Sequence, residues 1–221
     1  MSLATRKHTR LEDPGAELLD RVSQLSERYG KIALGVLAAA IVVGGGAFLA
    51  MRSRANTDDQ AASRLAEANL MFWNGYYQQS LERAKQVAQT YPDTPSGNEA
   101  HRIAGDDAYW LGDFKTSVAE YRRYLDKAKP GLLTEAAQRS LAYALESSGQ
   151  YREAAPLYES VVGKFDRESS AEMLYASARC YRLMQQPAEA LKRLQRLIDE
   201  YGDTSIANRA RIAVGELSAR K

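Results

Sequence analysis

The chain has 221 residues, enough for one sizeable domain with attachments. A formal charge of +2, divided as +3 over residues 1–55 and −1 over residues 56–221, excludes the cationic excess that marks a nucleic-acid binder. Cys180 is the only cysteine, which excludes an intrachain disulfide and a cysteine-rich zinc site.

Residues 1–30 read as an N-terminal tail ending in an amphipathic juxtamembrane helix. Asp13-Pro14 has the form of a helix start, and Leu18, Leu19, Val22, Leu25 and Tyr29 then recur at helical spacing. The phrase "IALGVLAAAIVVGGGAFLAM" follows at residues 32–51, 20 residues without a charged or strongly polar side chain. At a rise of about 1.5 Å per residue it matches the roughly 30 Å hydrocarbon core of a bilayer. Lys31, Arg52 and Arg54 flank it at headgroup depth, so a transmembrane helix is expected over residues 31–52. A cleaved signal peptide is the competing reading. The 31 residues ahead of the run and the length of the run itself both exceed what such a peptide uses. Gly44, Gly45 and Gly46, with Ala50 one turn beyond Gly46, would let a second helix approach closely, although glycine is common in membrane helices in any case. Positive charge near the two ends of the run is equal, and Arg6, Lys7 and Arg10 further out lean towards a cytoplasmic N-terminus. Residues 53–60 are expected as a linker.

Beyond residue 60 the pattern is helical throughout, and the chain matches itself. "NGYYQQSLERAKQVAQTYP", "LGDFKTSVAEYRRYLDKAK", "SGQYREAAPLYESVVGKFD" and "QQPAEALKRLQRLIDEYG" align on Gly75, Gly112, Gly149 and Gln185, at steps of 37, 37 and 36. The phrases "YPDTPSGNEA" at residues 91–100 and "YGDTSIANRA" at residues 201–210 lie three such steps apart, so they are junctions between repeats. Each repeat reads as two helices. Its glycine ends the first helix in the left-handed conformation. An aromatic follows two places on (Tyr77, Phe114, Tyr151) and packs back between the helices. A small residue three places further (Ser80, Ser117, Ala154, Ala190) marks the closest approach. The second helices carry Ala84 and Val87, Tyr121 and Tyr124, Tyr158 and Val161, and Leu194 and Leu197. They end at Tyr91-Pro92, Lys129-Pro130, Phe165-Asp166 and Tyr201-Gly202.

At these residues the chain resembles the tetratricopeptide repeat (TPR) family. The eighth position of each unit is small (Ala68, Gly105, Ala142, Ala178), although the units exceed the family's usual length of about 34 residues and the fourth has Gln185 and Pro187 at the turn. The resemblance implies an all-α, right-handed α-solenoid of four helix pairs at residues 61–97, 98–134, 135–170 and 171–203. A capping helix that covers the last hydrophobic face is expected at residues 204–221, a role its polar Asn208, Arg209, Arg211 and Glu216 suit. The layout is similar to bacterial single-pass inner-membrane TPR proteins of the ancillary translocon-subunit type, which implies repeats in the periplasm.

Chemistry is absent from this pattern. His8 and His101 have no ligand-spaced partners, and the neighbouring Asp106 and Asp107 point about 100° apart on a helix, so no catalytic residue, metal or cofactor is expected. Cys180 reads as a small core residue. The family resemblance instead implies a concave protein-binding groove formed by first helices. By register its residues are Leu65, Asn69, Phe72 and Trp73, then Arg102, Asp106, Tyr109 and Trp110, then Arg139, Tyr143 and Glu146, and finally Tyr175, Arg179 and Arg182. Trp73 and Trp110 also suit packing between neighbouring repeats, and the arginines suit a solvated helix face. The family's carboxylate-gripping sub-type is poorly matched. Asn69 fits it, but Leu65, Ala136 and Ser140 stand where polar or basic residues are expected. The expected partners are proteins, either clients or a translocon or other membrane complex, with lipid around residues 32–51 and no nucleic acid.

Overall fold

The computed structural model describes the backbone of residues 14–219 and the side chains of residues 29–219 other than Ala33. Arg6, Lys7, His8, Arg10 and Asp13, and the side chains of Leu18, Leu19, Val22 and Leu25, lie outside the described residues. All described secondary structure is helical: α1 (Pro14–Trp73), α2 (Tyr77–Thr90), α3 (Pro95–Trp110), α4 (Phe114–Lys127), α5 (Leu132–Ser147), α6 (Tyr151–Ser160), α7 (Arg167–Leu183), α8 (Pro187–Tyr201) and α9 (Ser205–Ala219). By internal contacts the chain divides between Arg54 and Ala55 into two parts, and α1 contributes residues to both.

In the first part, every described side chain from residue 34 to residue 51 is exposed, and a Cβ placed on Gly44, Gly45 or Gly46 would meet nothing within 4 Å. By length and composition this is a helix able to cross a membrane. Residues 53–60 are helical and form no linker. They contain neither Pro nor Gly to break the helix, and Asp58 makes a contact from it. Its Oδ1 accepts from the Ser96 N–H, an orphan donor in the first turn of α3.

The second part is a TPR-like solenoid, in which each of α2 to α9 packs on its neighbours in sequence. Four turns repeat the same closure. Gly75, Gly112 and Gly149 take φ of +79°, +78° and +81°. Each donates its N–H three residues back and its successor donates five back, as in Gly75 to Phe72 O (2.9 Å) and Tyr76 to Met71 O (2.9 Å). Gln185 closes the fourth turn with the same pair of bonds at φ +59°, the only non-glycine at positive φ among the described residues.

Close approach follows from the small residues. Ser80, Ser117, Ala154 and Ala190 are fully buried. Ser80 and Ser117 donate their hydroxyls to Ala68 O (2.9 Å) and Gly105 O (2.8 Å), so two eighth-position residues are the very contacts of the small ones. Buried side chains gather in three successive clusters. The first is built around Leu65, Val87 and Ile103, the second around Tyr121, Leu145 and Tyr158, and the third around Leu174, Leu194 and Leu197. The last helix, α9, closes the third cluster with Ile206, Ala207, Ala210 and Ala213, and exposes Asn208, Arg209, Arg211 and Glu216.

The bounds differ from expectation in two places. First helices start at residues 95, 132 and 167, three or four residues early, because Thr94 and Asp166 serve as N-caps for α3 and α7. The second helix of the third repeat stops at Ser160 instead of reaching Phe165, and a turn follows in which Gly163 takes φ +79°.

Candidate protein-binding surface

The residues expected to line a groove sit on the first helices, α1, α3, α5 and α7, and the structure gives them unequal freedom. Leu65 is a correction. It is 6% exposed and belongs to the first core cluster, because its position on α1 faces α2 and α3. Asn69 is half-buried one turn further along.

The arginines are engaged within the chain. Arg102 donates Nε to Glu99 and Nη1 to Asp106 (2.7 Å), and Asp106 also accepts from the Tyr121 hydroxyl (2.5 Å). Burial pushes the Asp106 carboxyl upward, against the opposing pull of Tyr121 and Arg102. On α7, Arg179 grips both oxygens of Glu146 (2.5 and 2.7 Å), and Glu146 accepts in addition from the Tyr158 hydroxyl (2.8 Å). The hydrogen bond to Glu146 raises the Arg179 guanidinium further, so it is cationic at any relevant pH. Arg182 lies 4.0 Å from Glu216 of α9. The Arg139 guanidinium lies over the Phe165 ring at 4.5 Å, and Arg209 lies over Tyr175 at 4.8 Å. Tyr109 tilts against Phe114 and Tyr143 stands edge-on to Tyr158, each with ring centroids 5.4 Å apart.

The aromatics near the first two turns are arranged differently. Trp73 is 81% exposed and Trp110 is 62% exposed, so neither is enclosed between repeats. Trp110 lies flat on Tyr77 of the preceding repeat, at 5.7 Å and 10° between planes. Phe72 meets both Tyr77 (5.5 Å) and Trp73 (5.4 Å) edge-on. The result is one continuous run, Trp73–Phe72–Tyr77–Trp110, with exposed Tyr76 and Leu111 adjoining it in the chain. Sequence reasoning found the two tryptophans but assigned Tyr77 to interhelical packing. Its place two residues after the glycine of the turn, one repeat before Trp110, was the available signal.

Cys180 is fully buried in the second cluster, and burial pushes its thiol up to about 12, which removes its nucleophilicity. Asp106 and Asp107 do diverge: Asp107 has no exposed surface, and neither of its oxygens has a donor. The Ser80 hydroxyl beside it gives its proton to Ala68 O. Among the described residues, no three His, Cys, Asp or Glu side chains are grouped to hold a metal ion.

The tetratricopeptide repeat family model matches residues 134–212. Over those residues the chain is similar to tetratricopeptide repeats. Solved structures agree on the fold. A set of nearly identical TPR-like repeats from Podospora anserina is 20% identical, with a TM-score of 0.58 over 72% of this chain and 86% of its own. MamA from Desulfovibrio magneticus RS-1 is 18% identical, with a TM-score of 0.55 over 73% of this chain and 94% of its own. YrrB, described as a TPR protein with an unusual peptide-binding site, is 16% identical, with a TM-score of 0.55 over 86% of this chain and 96% of its own. No curated protein matches the sequence. TPR proteins generally mediate protein–protein interaction, and the repeat segment here presents its largest exposed aromatic side chains at its first two turns.

Proposed function

We propose that the chain is a membrane-anchored protein–protein interaction scaffold of the bacterial cell envelope. Its reading is a single-pass inner-membrane protein with a cytoplasmic N-terminus and periplasmic repeats, holding a client or assembly partner close to the bilayer in the manner of a translocon-associated chaperone. The exposed apolar helix of residues 32–51 supports the anchor, and the TPR segment supports the binding role. The observation that carries the reading is the Trp73–Phe72–Tyr77–Trp110 run. Tryptophan and tyrosine dominate binding hot spots, and this run is rigidified by its own ring contacts, so a partner orders little on docking. The arginines of α3 and α7, by contrast, are already paired inside the chain.

Crosslinking followed by purification in mild detergent tests the reading. A specific partner should co-purify with the wild type and be lost from the Trp73→Ala/Trp110→Ala variant, whose melting temperature should stay within about 2 °C because exposed side chains contribute little to stability. Failure to recover any partner, or recovery indifferent to both tryptophans, overturns it. Protease accessibility in spheroplasts checks the orientation, since periplasmic repeats would be digested from outside.

A second reading, a fixed structural subunit of a larger inner-membrane complex, is favoured by the open surface over Gly44, Gly45, Gly46 and Ala50. Comigration with one complex that survives loss of the tryptophans but not replacement of the three glycines by leucine would decide for it.

A further inference from the structure

A cavity of about 310 Å³ opens between α2, α3 and α4, and its lining shares no residue with the aromatic run. Lys85 and Gln89 reach it from α2, His101 from α3, and Thr116, Glu120 and Arg123 from α4. Glu120 is the only carboxylate in the lining, and its side chain is 4% exposed. Both of its oxygens are taken: Oε2 faces His101 Nδ1 at 2.7 Å, and Oε1 accepts from Arg123 Nη1 at 2.7 Å. Burial alone would raise this carboxyl, but His101 and Arg123 hold it below the usual range, so it stays ionised.

What remains around the cavity donates. The Lys85 ammonium is within electrostatic reach of Glu120 but forms no ion pair among the described residues. The Gln89 carboxamide and the Thr116 hydroxyl are neutral donors. Two permanent cations thus stand against one fully engaged carboxylate, and His101 adds a third positive charge when protonated. Asp113, another acid near Lys85, is an exposed N-cap that accepts from the Thr116 N–H (3.1 Å) and does not line the cavity.

We propose that this pocket binds a phosphate group, either as inorganic phosphate or as a small phosphate monoester. A phosphate dianion has acceptor oxygens only, and needs converging charged donors of the kind Lys85 and Arg123 supply. The cavity is at the small end of ligand sites, yet roomier than a bare phosphate requires, which leaves space for one modest substituent.

The test is isothermal titration of the full-length chain in mild detergent, at constant ionic strength set with chloride, first with inorganic phosphate and then with phenyl phosphate. Saturable one-site binding is expected, weakened at least about tenfold by Lys85→Gln and by Arg123→Gln, the scale of a charged hydrogen bond. Lys85→Gln is the decisive variant, because Lys85 has no ion pair among the described residues whose loss would disturb the fold, and its melting curve should match the wild type. Phenyl phosphate binding as tightly as phosphate identifies a monoester site, and its rejection identifies a site for the free ion. No saturable heat with either probe, or binding unchanged in Lys85→Gln, overturns the proposal.

Discussion

Asp107 occupies a position where a carboxylate is costly. With no exposed surface and no donor, burial pushes its carboxyl up to about 7 from an ordinary value of 3.8. The folded state therefore keeps a proton that the unfolded chain has already released. Below about pH 4 both states are protonated and the residue costs nothing. From there to about pH 7 stability falls as pH rises, by up to about 1.4 kcal/mol per unit, and above that window the full cost remains. Asp107→Asn should remove this slope. Urea unfolding at pH 5 and pH 8 checks it, and the variant's advantage over wild type should be larger at pH 8. Gly105 is constrained in another way. A Cβ there would lie 2.8 Å from the ring of Tyr121, whose side chain is buried and tied to Asp106. Gly105→Ala should cost about 1–3 kcal/mol by overpacking, measured by thermal or urea unfolding.

The four turn closures share geometry but not residue type at the element scale. Three use glycine, and Gln185 holds the same left-handed conformation at a steric cost of about 1 kcal/mol. Gln185→Gly should therefore stabilise the chain by up to that amount, read as a raised urea midpoint with an unchanged slope. These turns were legible in the sequence because the capping rule is local: one residue, its position after the helix, and a period that repeats it. The small contact residues were legible for the same reason. The bond from the Ser96 N–H to Asp58 was not, since it joins residues 38 positions apart in the chain. A comparable contact recurs at the last repeat, where Glu168 accepts from Ser205 at the start of α9. The early stop of α6 depends on Gly163 turning the chain rather than on helical periodicity. At the surface, register placed the candidate residues on the right helices. It could not tell which were taken up by internal partners, because Glu146 and Glu216 reach their arginines from other helices and Phe165 reaches Arg139 from the turn between α6 and α7.

At the scale of the whole repeat segment, the core is three clusters in succession rather than one interior. Stability in such an array is close to a sum of repeat and neighbour terms. The pairs on which it rests are short in range: a serine to the carbonyl twelve residues back, a glycine to the turn it closes. Nothing in those contacts counts how many repeats there are. The 37-residue step between Gly112 and Gly149 is thus a unit of inheritance as well as of architecture, one that duplication can copy without redesign. A chain in which residues 112–148 occur twice in tandem should fold, gain helical circular dichroism in proportion to the added length, and unfold without a lower-melting transition of its own. Length, in this molecule, is the property that selection can change most cheaply.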